Sequence, residues 1–214
     1  MATVALIGDS HSQIHFNQLR PYLEEAGHEI VFRSSEPGWG VQKFLSTGKI
    51  NDLAGADHAV VALGGNNFKL EEDRYFPQIK DFIKVLRDQG IEKIVWLGPF
   101  ESDSVTKASV QDRHQWTADF LASKLPKDRN IFWIDMRPFS KGGPWRDGVH
   151  FKRDKYQEMT DAIAPQVVKS IGYPLILLRP HRTVTFWAGL IATGVLVSYL
   201  ILRGMDDVYR TEDN

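Results

Sequence analysis

Short apolar runs alternate with amphipathic stretches from residue 3 to residue 171. That order constrains the fold more than any single motif, because strands separated by helices pair in parallel through right-handed crossovers. Strand-length apolar runs lie at 3–7, 29–33, 58–63, 91–97 and 130–134. Helix-length stretches lie at 12–26, 41–45, 73–89, 105–125 and 154–171. Within 73–89, Phe76, Ile79, Phe82, Ile83 and Leu86 recur at helical spacing and give that helix one apolar face. Gly27, Gly90 and Gly172 stand where three of these helices should stop. The pattern predicts an α/β fold: a three-layer α/β/α sandwich around a five-stranded parallel sheet, over residues 1–172.

Composition narrows the chemistry. A chain of 214 residues, 43% of them hydrophobic, can bury a core without covalent staples. The net charge is −1 and no Lys/Arg run occurs, so no general attraction to nucleic acid is expected. Cysteine is absent, which excludes disulfides, thiol chemistry and cysteine-based metal sites. His11, His15, His28, His58 and His114 show no metal-ligand spacing and read as surface or core histidines. Neither a metal nor a cofactor is expected, and no phosphate-loop motif is present. Glu24, Glu25, Glu71, Glu72 and Asp73 read as solvated helix positions.

The C-terminal region differs from the rest. Residues 183–202 (TVTFWAGLIATGVLVSYLIL) carry no charge and are bracketed by Arg182 and Arg203. About 20 such residues span a bilayer as a helix, and Trp187 and Tyr199 suit its interfaces. The expected organisation is a globular domain at 1–172, a linker at 173–182, a transmembrane helix at 183–203 and a polar tail at 204–214. Met1-Ala2-Thr3 carries no basic residue and the apolar run Val4–Ile7 is too short, so no secretory leader is expected. Arg179 and Arg182 outweigh Arg203, which Asp206 and Asp207 follow, so the domain is expected on the cytoplasmic side of a membrane. The alternative is burial of this helix in an oligomer or a larger assembly such as a virion. Ala188/Ala192 and Gly189/Thr193 are spaced for helix packing.

In a doubly wound sheet, ligands bind beyond the carboxyl ends of the strands. The chemically notable residues all fall there. Gly8-Asp9-Ser10 follows the first strand, Gly38-Trp39-Gly40 the second, Gly64-Gly65-Asn66-Asn67 the third and Asp147-Gly148-Val149-His150 the fifth. A serine hydroxyl is a weak nucleophile until a base takes its proton. His150 can be that base, and Asp147 can hold the imidazole in the required tautomer. Donors for a developing oxyanion are the Ser10 N–H, the Asn66 amide and a glycine N–H from the Gly38/Gly40 loop.

These blocks, in this order, resemble the GDSL-type esterases of the SGNH hydrolase superfamily. Gly8-Asp9-Ser10-His11 is similar to the first block, Gly64-Gly65-Asn66-Asn67 to the glycine–x–asparagine block, and Asp147-x-x-His150 to the last. The resemblance covers residues 1–172 and implies a flavodoxin-like sandwich with Ser10 as nucleophile, His150 as base, Asp147 as its orienter and Asn66 as oxyanion donor. For the second-block glycine that the resemblance also implies, Gly38 fits better by its place just after the second strand, and Gly40 is the alternative. It implies hydrolysis of a carboxylic ester, whether short acyl, O-acetyl glycan or lysolipid, without a cofactor. Asn67 stands where many relatives carry Asp, at a position implied to be structural. The apolar C-terminal helix is not a general feature of the superfamily, and the alternative reading is a catalytically silent module that uses it for assembly. Trp39, Phe68 and Trp145 lie beside the motifs, either lining an acyl or sugar pocket or packing in the core.

Overall fold

A computed structural model describes residues 1–67, 72–125 and 128–172. Five parallel strands form one sheet: β1 (Thr3–Gly8), β2 (Glu29–Ser35), β3 (His58–Ala62), β4 (Lys93–Leu97) and β5 (Ile131–Ile134), in spatial order β2-β1-β3-β4-β5. This is the flavodoxin-like order. The helices are α1 (Ser12–Glu25), α2 (Val41–Thr47), α3 (Glu72–Asp88), α4 (Ala108–Lys124), α5 (Arg137–Ser140) and α6 (Arg153–Ile171).

Side chains on successive strand residues point to opposite faces, so each central strand feeds two cores. Val4 and Leu6 of β1, Val60 of β3 and Val95 of β4 pack with Phe16, Leu19 and Leu23 of α1 and Met159, Ile163 and Val167 of α6. Ala5 and Ile7, Ala59 and Val61, and Ile94 and Trp96 pack on the other face with Phe44 of α2, Ile79, Phe82 and Leu86 of α3, and Leu121 of α4. Burial on both faces explains why these strands read as unbroken apolar runs. Trp96 is fully buried, and its indole N–H donates to the Leu63 carbonyl at 2.9 Å, so its polar atom is satisfied.

Among the departures from the sequence expectation, three have a clear local reason. The run at 91–97 loses its first residues to the end of α3. Gly90, at φ 92°, donates its N–H to the Arg87 carbonyl, and Ile91 N–H reaches back to Leu86 at 3.1 Å. That is a Schellman closure, and it spends Ile91 on capping, so β4 begins at Lys93. The helix expected from 105 begins at Ala108 instead. The Asp103 carboxylate accepts the Val105 N–H at 2.9 Å and the Thr106 hydroxyl at 2.8 Å, which holds that stretch as a turn. The short α5 was not anticipated. Asp135 accepts the Arg137 N–H at 3.0 Å and pairs with the Arg137 guanidinium, which sets its first turn.

The expected linker at 173–182, transmembrane helix at 183–203 and tail at 204–214 lie outside the described residues. Among the described residues, no helix is long and apolar enough to cross a membrane.

Candidate active site

The chain leaves β1 for β2 on one side, while β3 lies on the other side of β1, so the loops after β1 and β3 diverge there and open a crevice. Ser10 stands at that crevice. Gly8 closes β1 where any Cβ would run into the Ser12 side chain. The tight turn that follows is held by the Ser12 N–H and hydroxyl, which donate to the Asp9 carbonyl at 3.1 and 2.6 Å. It buries Asp9 and leaves Ser10 partly exposed.

Ser10 Oγ lies 2.8 Å from His150 Nε2. The other ring nitrogen, Nδ1, lies 2.9 Å from Asp147 Oδ2. A carboxylate can only accept, so in the neutral ring Nδ1 carries the proton and Nε2 faces the Ser10 hydroxyl with its lone pair. Three-residue spacing lets one carboxylate also hold the loop: Asp147 Oδ1 accepts the backbone N–H of His150 at 2.7 Å and of Val149 at 3.1 Å. Partial burial pushes the Asp147 carboxyl up. The hydrogen bonds from the His150 backbone and ring and from Val149 outweigh that and hold the group below the usual carboxylate range. The loop is closed behind them by a Trp145–Phe151 bridge and by Arg146 N–H donating to the His150 carbonyl at 2.6 Å. The neighbouring Arg146–Asp147 ion pair, at 3.2 Å, is exposed and adds little.

The loops after β2 and β3 meet beside this line. Asn66 Nδ2 lies 3.3 Å from Asp9 Oδ2 and 3.4 Å from the Trp39 carbonyl. Asn67 Oδ1 accepts the Val41 N–H at 3.4 Å, tying the start of α2 to the β3 loop. The two candidate glycines are placed differently. Gly38 is exposed, and a Cβ there would meet nothing within 4 Å. Gly40 caps α2 and abuts the Asn67 side chain, with the Asn66 carbonyl 3.4 Å from its Cβ position. Among the described residues no acceptor takes the N–H of Gly40 or of Ser10. Gly40, which the sequence ranked second, is therefore the glycine packed against Asn66 and Asn67.

Three buried groups around the site had no role assigned to them from the sequence. Burial pushes the Asp9 carboxyl up to about 7, although the His11 N–H donates to its Oδ1 at 3.0 Å. His11 and His114, read from sequence only as surface or core histidines, are both buried against the site loops. His114 lies between the Phe100 carbonyl at 2.7 Å and the Gly65 carbonyl at 3.2 Å, joining the loops after β3 and β4. Trp39 packs edge-on against Phe44, and Trp145 lies 4.4 Å from Phe151. Phe68 lies outside the described residues. Among the described residues no three His, Asp or Glu side chains come together as a metal site.

No family model and no curated protein matches the chain. Solved structures do. A GDSL-like lipase from Bacteroides thetaiotaomicron aligns with a TM-score of 0.58 at 14% identity, over 78% of this chain and 89% of that one. A catalytic mutant of an acetylxylan esterase from Geobacillus stearothermophilus aligns with a TM-score of 0.62 at 12% identity, over 81% and 95%. The C-terminal catalytic domain of a Streptococcus pneumoniae peptidoglycan O-acetyltransferase, carrying a methylsulfonyl adduct, aligns with a TM-score of 0.59 at 20% identity, over 81% and 96%. At these identities the likeness shows a shared fold alone: the described residues adopt the same α/β architecture as these three structures.

Proposed function

We propose that this protein is a serine esterase that cleaves carboxylic esters through an acyl-enzyme at Ser10. The observation that carries the reading is the continuous line from Asp147 through His150 to Ser10, with contacts of 2.9 and 2.8 Å, at the carboxyl rim of the sheet. Ser10 Oγ attacks the ester carbonyl carbon while its proton passes to His150 Nε2. Asp147 stabilises the imidazolium that forms. The carbonyl oxygen becomes an oxyanion facing the Ser10 N–H, the Gly40 N–H and Asn66 Nδ2. As the intermediate collapses, the bond to the alkoxy oxygen breaks and His150 returns the proton to the leaving alcohol. Water, deprotonated by the same ring, then releases the acid and restores Ser10.

Small acyl groups carried on a glycan hydroxyl are the substrate class favoured by the acetylxylan esterase and O-acetyltransferase likenesses. The test is turnover of p-nitrophenyl acetate by the full chain, followed by acetyl-xylan. We expect serine-dependent hydrolysis that Ser10→Ala abolishes. Equal rates for Ser10→Ala and wild type would sink the reading.

A further inference from the structure

Next to Ser10 stands a buried histidine that the proposed chemistry leaves unused. His11 is 4% exposed. Its ring Nδ1 lies 2.9 Å from Tyr156 Oη on α6. The ring stacks on Phe100, with centroids 4.7 Å apart and planes at 23°. It also lies against the His150 ring, with centroids 5.0 Å apart and planes at 36°. Phe151 and Tyr156, each at 6.1 Å, complete its surroundings. Rings from three other segments thus fix His11, and His11 borders His150.

His150 needs such a border. Its two nitrogens point to Asp147 and Ser10, but its side chain is 26% exposed, so solvent covers part of the ring. Two hydrogen bonds along the Nδ1–Nε2 direction leave the ring free to tilt about that line. The bond to Cβ limits that tilt in part, and packing on the ring face limits it further. The charge of the packing group matters as well, because His150 takes up a proton during the reaction and a nearby cation would oppose that step. The titratable groups facing His11 are His150, His114, His15, Asp147, Asp9 and Tyr156. Burial first, then His150, His114 and His15, hold the His11 ring neutral against the opposing pull of Asp147.

We propose that His11 is a positioning residue: its ring, pinned by Tyr156 and stacked on Phe100, holds the His150 imidazole in the plane that joins Asp147 to Ser10. The role rests on the serine esterase reading above and adds a second-line requirement to it.

The test separates ring from hydrogen bond. His11→Phe keeps a flat neutral ring, and His11→Gln keeps a partner for Tyr156 Oη without a ring. Misplacing reacting groups by about 1 Å costs about 10²-fold in rate, so His11→Gln should lower kcat by about 10-fold or more while His11→Phe stays within about 3-fold of wild type, with KM nearly unchanged in both. In a His150→Ala background, His11→Gln should lower the residual rate no further, which a merely structural loss would not respect. An active His11→Gln with an impaired His11→Phe overturns the proposal, as does an undiminished loss in the His150→Ala background. Ser10→Ala is assayed alongside. If it matches wild type, the esterase reading has failed. If it is inactive while His11→Gln keeps full kcat, the positioning role alone has failed.

Discussion

Replacing Asp9 by Asn should change how stability depends on pH, and the structure sets the size and the sign. Asp9 is buried beneath Ser10 and its carboxyl is pushed from the ordinary 3.8 up to about 7, first by desolvation. The folded state therefore holds a proton on Asp9 across a range where the unfolded chain has released it. A raised carboxyl means that the folded state binds more protons between those two values, so the contribution of Asp9 is fully favourable below 3.8 and is lost as pH rises toward 7. Three units at about 1.36 kcal/mol each amount to about 4 kcal/mol over the whole interval, or about 1.4 kcal/mol per pH unit within it. Buried histidines work in the opposite direction. Desolvation lowers His15 to about 4, so the unfolded state binds its proton first and stability rises with pH there. Comparing wild type with Asp9→Asn at each pH removes that background, because Asn keeps the shape and does not titrate. The assay is denaturant unfolding followed by tryptophan fluorescence at intervals between pH 5 and pH 8. The advantage of wild type over Asp9→Asn should shrink steadily up to about pH 7 and then level off. A stability difference that stays constant across this range would refute the reasoning.

Asp147→Asn should fold normally and lower kcat by about 10⁴-fold, because an amide facing His150 Nδ1 can favour the wrong tautomer; a pre-steady-state burst assay on p-nitrophenyl acetate measures it. Alanine at the two loop glycines should separate their roles. Gly38→Ala places a side chain in open space at φ +75° and should cost about 1 kcal/mol of stability with kcat intact, whereas Gly40→Ala drives a methyl into Asn67 and should lower kcat without touching the hydroxyl or the base. Asn66→Ala should lower kcat by about 10²–10³-fold, the usual loss for one oxyanion donor, and steady-state kinetics on all three variants decides whether Gly40 belongs with Asn66.

What could be read from the chain was what each segment reports about its own burial. The runs holding Val4–Ile7 and Ala59–Val61 are apolar at every position because helices cover both sheet faces, and that signal is local. The Asp147–His150 contact was legible for the same reason, since a spacing of three within one loop delivers both groups. Distances across the sheet were not legible. That Gly40 rather than Gly38 packs against Asn67, a residue on another strand's loop, required seeing the start of α2 in place. His11 and His114 looked like ordinary histidines because their surroundings come from Phe100, Tyr156 and Gly65, far away in sequence. The start of α4 depended on a side chain, Asp103, capturing backbone donors that helical periodicity ignores.

The strand order carries one more consequence. Ser10 follows the inner strand β1, while His150 follows β5, the four-residue strand at the sheet edge. β3 and β4 lie between them, so the loop after β5 must reach back across three strand spacings, roughly 14 Å in all. On the esterase reading, the site is complete only once the segment after β5 has closed over the rim. A nascent chain carries residue 10 long before residue 150, so on that reading Ser10 meets its base only after most of the domain has been made. On that reading, labelling of Ser10 by an acylating probe would report whether the segment that carries His150 is docked.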